Sequence, residues 1–261
     1  MTPQWAKKAA YQVLSFILSL AMVVGVAIYA FTKSYEERKL TFVDGFTICA
    51  HTGAFDTQDN TVEAVEAAIN GGADAVEVDV RQRPDGTIVI GHDIITTNTG
   101  GVELETVFKV VAQSKIKMNL DIKDINVLEK LRKLIKDYSF ENRVFLTGIE
   151  VYQTDQAKKY CPDIEYYINY LPSRIKIFSE DYQEKIIKMV EDAGAVGINC
   201  NHTNASKTLS EVLHNNGYKL SVWTVDKEYQ MMRALVNEPD NITTHNVTQL
   251  REVIKNWGNN K

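Results

Sequence analysis

The sequence predicts an α/β protein, a (β/α)8 TIM barrel preceded by a single N-terminal transmembrane helix. The barrel is indicated by short apolar runs that alternate with amphipathic stretches in eight successive strand-and-helix units. Such regular alternation implies parallel strands, and eight of them is the number that closes this barrel. The transmembrane helix is indicated by an uncharged run of 19 residues near the N-terminus. A doubly wound open sheet is the alternative fold.

The membrane anchor is predicted from Val13 to Phe31, a run without any charged residue. At about 1.5 Å per residue this helix extends roughly 28 Å, close to the hydrocarbon thickness of a bilayer. A cleaved signal peptide is the competing interpretation, but its apolar region normally has only about 7–15 residues. The flanking lysines and arginines barely fix the orientation. We expect a single-pass protein of the cell membrane with a cytoplasmic N-terminus and an extracytoplasmic barrel.

The predicted domain organisation is a short tail at 1–12, the anchor at 13–31, a linker at 32–44 and the barrel domain at 45–261. A hydrophobic content of 44% and a charged content of 24% are typical of a globular protein. The net charge of -5 and the absence of a basic run in the sequence argue against a nucleic-acid partner. The three cysteines are scattered without CxxC spacing, which predicts buried thiols rather than disulfides or a zinc site.

The barrel elements are predicted in order along the chain, and turn residues separate them. The eight strands are predicted at TICA, ADAVEVDV, MNLDIKD, RVFLTG, IEYYINY, AVGINC, YKLSVWTV and NITTH. The helices are predicted at NTVEAVEAAINGG, VELETVFKVVAQ, INVLEKLRKLIKDY, VYQTDQAKKY, SEDYQEKIIKMVEDAG, SKTLSEVLHNNG, KEYQMMRALVNE and VTQLREVIKNW. After the second strand, the turn RPDG leads into TIVIG, which returns as an additional short strand.

Charged side chains gather where the first strands end. His51 follows the first strand, and Glu77 and Asp79 alternate with valines in the second, so both carboxylates share one face. In the third strand Asp121 and Lys123 share a face in the same way. Charges on two neighbouring buried strands are costly unless they meet a metal, a partner or a ligand. Catalytic groups of this barrel lie at the C-terminal strand ends, so a site is predicted there.

An ordered set of motifs from about Phe46 to Leu250 resembles the glycerophosphodiester phosphodiesterase (GDPD) family. That family's pattern is His-Arg-Gly, Glu-Asn-Thr, Glu-x-Asp-Val, His-Asp, Glu-x-Lys, Trp-Thr-Val and a final Thr-Asp. The corresponding segments here are His51-Thr52-Gly53, Asp59-Asn60-Thr61, Glu77-Val78-Asp79-Val80, His92-Asp93, Asp121-Ile122-Lys123, Trp223-Thr224-Val225 and Thr243-Thr244-His245. Each motif is short, but their order and spacing are specific.

The resemblance implies one divalent cation, Ca²⁺ or Mg²⁺, held by Glu77, Asp79 and Asp121. Oxygen ligands suit such hard ions. It also implies that His51 and His92 form the acid/base pair, and imidazole suits both roles because its ordinary pKa is near 6.5. Which histidine acts as the acid is left open.

Further positions follow from the same resemblance. Lys123 is expected to bind the substrate phosphate, and Trp223 either packs in the core or forms a pocket wall that contacts the substrate. Asp59, Asn60 and Gly53 are expected to orient the site or to form its turn. The remaining histidines, His202, His214 and His245, are predicted to be ordinary core or loop residues.

Three of the departures from the family pattern affect the expected phosphate-binding, orienting and metal-binding positions. Thr52 stands at the phosphate-binding position of the family's arginine and cannot offer that side chain's bidentate donors. Asp59 and Asp121 each replace a glutamate and shorten the reach of the carboxylate by one methylene. An aspartate at the third metal position followed by Lys123 is similar to the sphingomyelinase D branch of this barrel superfamily.

Three functions are therefore weighed. The first is a phosphodiesterase that hydrolyses glycerophosphodiesters to glycerol 3-phosphate and an alcohol, or acts on related lysophospholipid headgroups. The second is a lyase of the sphingomyelinase D type that releases a cyclic phosphate. The third is a barrel that has lost catalysis with the arginine and serves as a binding module. We favour the first, and the presence of both histidines and all three carboxylates argues against the third.

Overall fold

The computed structural model describes residues 3–258, so predictions for residues 1–2 and 259–261 fall outside the described part of the chain. In chain order the strands are β1 (Thr47–Ala50), β2 (Ala75–Gln82), β3 (Ile88–Ile90), β4 (Val102–Glu103), β5 (Lys117–Ile122), β6 (Val144–Glu150), β7 (Tyr166–Asn169), β8 (Gly197–Asn201), β9 (Lys219–Trp223) and β10 (Asn241–Thr244). All except β3 and β4 run parallel.

The eight parallel strands form a closed barrel, as predicted. The neighbours run in the order β1-β10-β9-β8-β7-β6-β5-β2, and a pairing of β1 with β2 closes the ring. The return strand β3 pairs antiparallel with β2 and then with β4, so this hairpin extends outward from the barrel wall. All C-terminal strand ends therefore meet at one opening, which we call the mouth; the opposite opening is the base.

The helices that follow the strands pack around the outside of this barrel, whereas the N-terminal helix is largely exposed. In chain order the helices are α1 (Gln4–Glu36), α2 (Val62–Asn70), α3 (Leu104–Val111), α4 (Leu128–Asp137), α5 (Thr154–Tyr160), α6 (Glu180–Ala193), α7 (Lys207–Asn215), α8 (Glu228–Val236) and α9 (Val247–Lys255). Their apolar faces and the outward strand residues form the main core, while Cys49, Ala75, Phe145 and Tyr167 form a smaller buried cluster. All three cysteines are free and buried, as predicted.

The third helix begins later than its sequence pattern suggests. The stretch VELETVFKVVAQ is helical only from Leu104, because Val102 and Glu103 pair with β3 as a short strand. Glu103 itself has an extended backbone conformation at the helix start. Tertiary pairing with the hairpin therefore overrides local helix propensity at these two positions.

The N-terminal helix α1 is longer than the predicted anchor, since it begins at Gln4 and continues to Glu36. It is long and apolar enough to cross a membrane, although a signal sequence would have the same character. The segment that follows is attached to the barrel domain. Leu40 packs against the core, and the Trp257 indole Nε1 donates to the Arg38 carbonyl at 2.8 Å. The chain thus joins the helix to the barrel through a packed connection.

Candidate functional site

The predicted carboxylates converge at the mouth. Glu77 and Asp79 lie on β2, Asp121 lies on β5, and the register pairs Asp79 directly with Asp121. One carboxylate oxygen from each of the three residues lies within 4.8 Å of the others. All three side chains are largely buried. The pairing of the two adjacent strands β2 and β5 therefore brings the carboxylates together, and we call them the carboxylate cluster.

Neighbouring polar groups fix the orientation of each carboxylate. The Asn119 amide Nδ2 donates to Glu77 Oε2 at 2.9 Å. The Asn60 amide Nδ2 donates to Asp79 Oδ2 at 2.7 Å, while Asn60 Oδ1 accepts from the Asp79 backbone N–H at 2.9 Å. The Thr147 hydroxyl lies 2.7 Å from Asp121 Oδ1 and 2.8 Å from Asn119 Oδ1, so its single proton serves one of them at a time. Asn60 thus connects the loop after β1 to both the side chain and the backbone of Asp79.

Lys123 lies inside the carboxylate cluster. Its ammonium Nζ is 3.0 Å from Asp79 Oδ1 and 2.5 Å from Asp121 Oδ2. Burial by itself would lower the pKa of Lys123, but Asp121 and Asp79 together raise it to about 12. The pKa of Glu77 is raised well above its ordinary value by burial and by repulsion from Asp121 and Asp79. The lysine thus offsets only part of the negative charge.

The chemistry of these donors fits a divalent metal ion. With every group ionised, three carboxylates against one ammonium leave two negative charges in a buried space. An ion held by Glu77, Asp79 and Asp121 would balance those charges and relieve the repulsion on Glu77. The ligand set consists of oxygens, which favours a hard cation over zinc.

His51 lies beside this cluster, with its Nε2 3.6 Å from Glu77 Oε1. Its Nδ1 lies 2.8 Å from the Thr52 carbonyl oxygen, which only accepts, so the Nδ1 of the neutral ring carries the proton. The lone pair of the neutral ring is then on Nε2, the nitrogen that faces the carboxylates. Burial lowers the pKa of His51, which favours this neutral form. His51 is therefore suited to accept a proton.

His92 occupies a different environment. Its side chain is 72% exposed, and its Nδ1 lies 3.0 Å from Asp93 Oδ1. The Gly91 backbone N–H donates to the Asp79 carbonyl at 2.9 Å, which keeps this loop next to the mouth. The structure therefore brings His51 to the carboxylates and leaves the His92 side chain on an exposed loop close by.

The loop after β1 has a tightly defined backbone. Thr52 is buried, and its hydroxyl accepts from the Asn60 backbone N–H at 2.6 Å, so the hydroxyl is used within the loop. Gly53 has φ of 78°, and a Cβ at this position would lie 1.8 Å from Asp59 Oδ1. The loop thus requires glycine at 53 and places the exposed Asp59 carboxylate directly against it.

Trp223 ends β9 at the mouth, and its side chain is partly exposed. The indole Nε1 is buried, yet it has no acceptor among residues 3–258. Buried donors without a partner are uncommon in folded proteins. This leaves both predicted interpretations of Trp223 in place and adds an available hydrogen-bond donor at the strand end.

Sequence reasoning missed the position of His245 beside His51. Although it was predicted to be an ordinary core or loop histidine, its ring centroid lies 4.2 Å from that of His51. Its Nδ1 is 2.9 Å from Asp226 Oδ2, and the other carboxylate oxygen accepts from the His245 backbone N–H at 2.9 Å. The hydrogen bond that the ring donates to Asp226 raises the pKa of His245. Its place at the end of the last strand was the available signal.

The chain resembles known proteins along most of its length. The model of the Glycerophosphoryl diester phosphodiesterase family matches residues 50–192. A glycerophosphodiester phosphodiesterase from Caldanaerobacter subterraneus subsp. tengcongensis is 27% identical over 248 residues, which covers 81% of this chain and 98% of that protein. One from Bacillus altitudinis is 25% identical over 251 residues, which covers 80% of this chain and 99% of that protein.

The fold has close counterparts among solved structures. The structure of a glycerophosphodiester phosphodiesterase from Parabacteroides distasonis matches with a TM-score of 0.67 at 18% identity. The match covers 81% of this chain and 98% of the other. At this identity the likeness establishes the barrel fold.

Proposed function

Because this chain belongs to the glycerophosphoryl diester phosphodiesterase family, we propose that it hydrolyses glycerophosphodiesters to glycerol 3-phosphate and an alcohol. The observation that carries this proposal is the proximity of His51 Nε2, 3.6 Å from Glu77, to three converging carboxylates. A proton acceptor beside an oxygen-rich cation site is the arrangement that attack on a phosphodiester requires.

Glu77, Asp79 and Asp121 are proposed to hold one divalent cation, Ca²⁺ or Mg²⁺. When bound, such an ion supplies a positive charge that stabilises the extra negative charge on the phosphate oxygens in the transition state. Asn119, Asn60 and the Thr147 hydroxyl hold the carboxylates in place. The Lys123 ammonium, which contacts two of these carboxylates, is proposed to provide a further positive charge near the substrate phosphate.

His51 and His92 are proposed to transfer the protons. His51 Nε2 takes the proton from a water molecule whose oxygen then forms a bond to phosphorus. The bond from phosphorus to the alcohol oxygen breaks, and His92 gives a proton to that departing oxygen. The assignment of His51 as the base rests on its Nε2 lone pair and its lowered pKa. His92 lies on an exposed loop, where it has room to approach a bound substrate.

The lyase is the second candidate, and the Asp121 and Lys123 pair favours it. In that reaction a hydroxyl of the substrate itself attacks phosphorus in place of water, so the product is a cyclic phosphate. The same base and the same cation site serve both reactions. Phosphorus NMR of the product separates them, because a persistent five-membered cyclic phosphate identifies a lyase.

The location and the physiological substrate are also proposals. The apolar helix α1 is proposed to anchor the protein in the cell membrane with the barrel outside the cytoplasm. A membrane-bound barrel would meet lysophospholipid headgroups as well as soluble glycerophosphodiesters. The orientation is tested in intact cells by protease digestion of the barrel, or by labelling of a cysteine introduced on the barrel surface.

The activity is tested with the full chain in detergent, with glycerophosphocholine as the substrate and glycerol 3-phosphate release as the readout. We expect turnover that a chelator removes, that Ca²⁺ or Mg²⁺ restores and that His51→Ala lowers roughly 10²- to 10⁴-fold. The matched control is His214→Ala, on helix α7. Turnover that survives both chelation and His51→Ala would contradict the proposed mechanism.

A further inference from the structure

We infer that His245, held by Asp226 and adjacent to His51, binds a phosphate oxygen of the substrate at the barrel mouth. This inference rests on the proposed function for the class of substrate. It concerns His245, because this chain has Thr244-His245 where the family pattern ends in Thr-Asp.

The topology places the two histidines side by side. Strands β1 and β10 are neighbours, and their register pairs Ala50 with Thr244, the residues just before His51 and His245. The His51 backbone N–H continues this pairing and donates to the Thr244 carbonyl at 2.9 Å. The two ring centroids are 4.2 Å apart with an interplanar angle of 44°. A phosphate that reaches His51 therefore also lies within reach of His245.

Asp226 determines which nitrogen of His245 is available. The Nδ1 hydrogen is directed to Asp226 Oδ2, and Asp226 Oδ1 accepts from the His245 backbone N–H and lies 3.3 Å from the Thr244 hydroxyl. Within residues 3–258 no acceptor binds the His245 Nε2, and the side chain is 39% exposed. In the protonated ring, Nε2–H is thus a donor that is both accessible and without a protein partner.

The charged groups that face His245 favour the protonated ring. Asp226 contacts it directly, Asp59 acts on it from the loop after β1, and His51 is the adjacent imidazole. The hydrogen bond that His245 donates to Asp226 raises the pKa of His245, and Asp59 raises it further, while burial opposes them. A cationic N–H donor at this place suits an anionic ligand such as a phosphodiester.

The other candidate donors of the site are already occupied or uncharged. The Thr52 hydroxyl, which accepts from the Asn60 backbone N–H, is uncharged, and Lys123 is paired with Asp79 and Asp121. The Trp223 indole N–H is neutral. His92, the proposed acid, lies on an exposed loop. Among the described groups that adjoin His51, His245 is the cation whose donor faces no protein acceptor. It is therefore the group best placed to hold a phosphate oxygen where the sequence has lost an arginine at position 52.

The kinetic test compares His245→Ala with His214→Ala in the full chain. His214 also pairs with an aspartate, Asp240, at 2.9 Å, so both variants lose a similar hydrogen bond. We expect His245→Ala to raise KM for glycerophosphocholine about 10- to 100-fold, in line with a hydrogen bond to a charged group, and to change kcat less. His245→Lys should recover part of the loss, and His214→Ala should leave KM unchanged.

The pH dependence gives a readout that loss of packing alone would not change. In the wild-type protein KM should rise as the pH passes the pKa of His245, above the ordinary value of the side chain. Asp226→Asn removes the group that raises this pKa, so the increase in KM should begin at lower pH. An unchanged pH profile of KM in Asp226→Asn would overturn the inference.

A binding measurement separates this inference from the proposed function. Glycerol 3-phosphate and inorganic phosphate are titrated into the full chain by calorimetry, in the presence of Ca²⁺ or Mg²⁺. Weaker binding in His245→Ala but not in His214→Ala supports the inference even if the protein hydrolyses no glycerophosphodiester. Hydrolysis by the wild-type protein together with unchanged KM and unchanged phosphate binding in His245→Ala overturns the inference and leaves the proposed function intact.

Discussion

The two ends of strand β10 carry the same chemical pair in two different settings. At the base, the His214 Nε2 lies 2.9 Å from Asp240 Oδ2, and at the mouth the His245 Nδ1 lies 2.9 Å from Asp226 Oδ2. At the base, Asp240 Oδ2 also accepts from the Leu220 backbone N–H at 2.7 Å, and the Asp240 carbonyl accepts from Thr47. The pair of His214 and Asp240 therefore joins helix α7 to β9, β10 and β1.

The pair of His245 and Asp226 at the mouth has the same hydrogen-bond length as the pair at the base, but its surroundings differ. His245 lies against His51, which lies 3.6 Å from Glu77, and these contacts lead to a cluster with excess negative charge. At the base, the charges are satisfied within the protein, as in the 3.0 Å pair between Arg251 and Asp74. Equal hydrogen-bond lengths therefore do not identify a functional histidine; unsatisfied neighbours do. In parallel barrels these neighbours collect at the C-terminal strand ends.

The largest expected difference between the ends is catalytic. Asp121→Asn at the mouth removes one charge from the cation site, so kcat/KM should fall roughly 10²- to 10³-fold. Asp240→Asn at the base should lower the melting temperature and leave kcat/KM of the folded protein unchanged. Steady-state kinetics on both variants measure this contrast, and equal losses of kcat/KM would break it.

Stabilisation by a metal ion should be confined to the mouth. Adding Ca²⁺ or Mg²⁺ at about 100 times its dissociation constant should stabilise the wild-type protein by about 2.7 kcal/mol. The shift should persist in Asp240→Asn and disappear in Asp121→Asn, because only the latter loses a ligand. Thermal unfolding with and without the ion measures this, and a shift retained in Asp121→Asn would contradict the assigned ligands.

Two glycines with similar backbones flank β1 and provide a matched pair. Gly45 has φ of 79° before the strand and Gly53 has φ of 78° after it. Each change to alanine should cost about 1–2 kcal/mol of stability, since both positions are left-handed. At Gly53 the new Cβ would lie 1.8 Å from Asp59 Oδ1, whereas no described atom of residues 3–258 lies within 4 Å of a Cβ at Gly45. Gly53→Ala alone should therefore also lower activity, which chemical denaturation and kinetics together measure.

The smallest expected effect is the pH dependence of stability at the mouth pair. The raised pKa of His245 contributes stability that is present below about pH 6.5 and is lost as pH rises through the folded value. Burial would raise the pKa of Asp226, but hydrogen bonds from His245 lower it, so its contribution is lost as pH falls through that value. His245→Asn should therefore cost less than about 1 kcal/mol, and more at pH 5.5 than at pH 8.5. Chemical denaturation at both pH values measures this loss. A larger loss of unfolding free energy at pH 8.5 than at pH 5.5 would contradict this sign.

Much of the fold and part of the site follow from the sequence. The alternation of apolar and amphipathic runs predicts the barrel, and the spacing of Glu77, Asp79 and Asp121 predicts their convergence, because both depend on local periodicity and on parallel strands. The start of α3 could not be predicted in this way, since Val102 and Glu103 join a hairpin whose partner is distant in sequence. Thr147, which contacts Asp121, carried no recognisable local signal.

The sequence by itself determined the family, the barrel and the three carboxylates, because repeated short-range patterns specify which strand face each side chain occupies. The tertiary structure decided where the histidines lie relative to the carboxylates and to one another. Whether His245 lies against His51 depends on the closure of β1 on β10 across 194 positions of sequence, as in the Thr47–Asn241 contact. No local pattern contains that closure, which is why the residue next to the proposed base was recognised only in the folded chain.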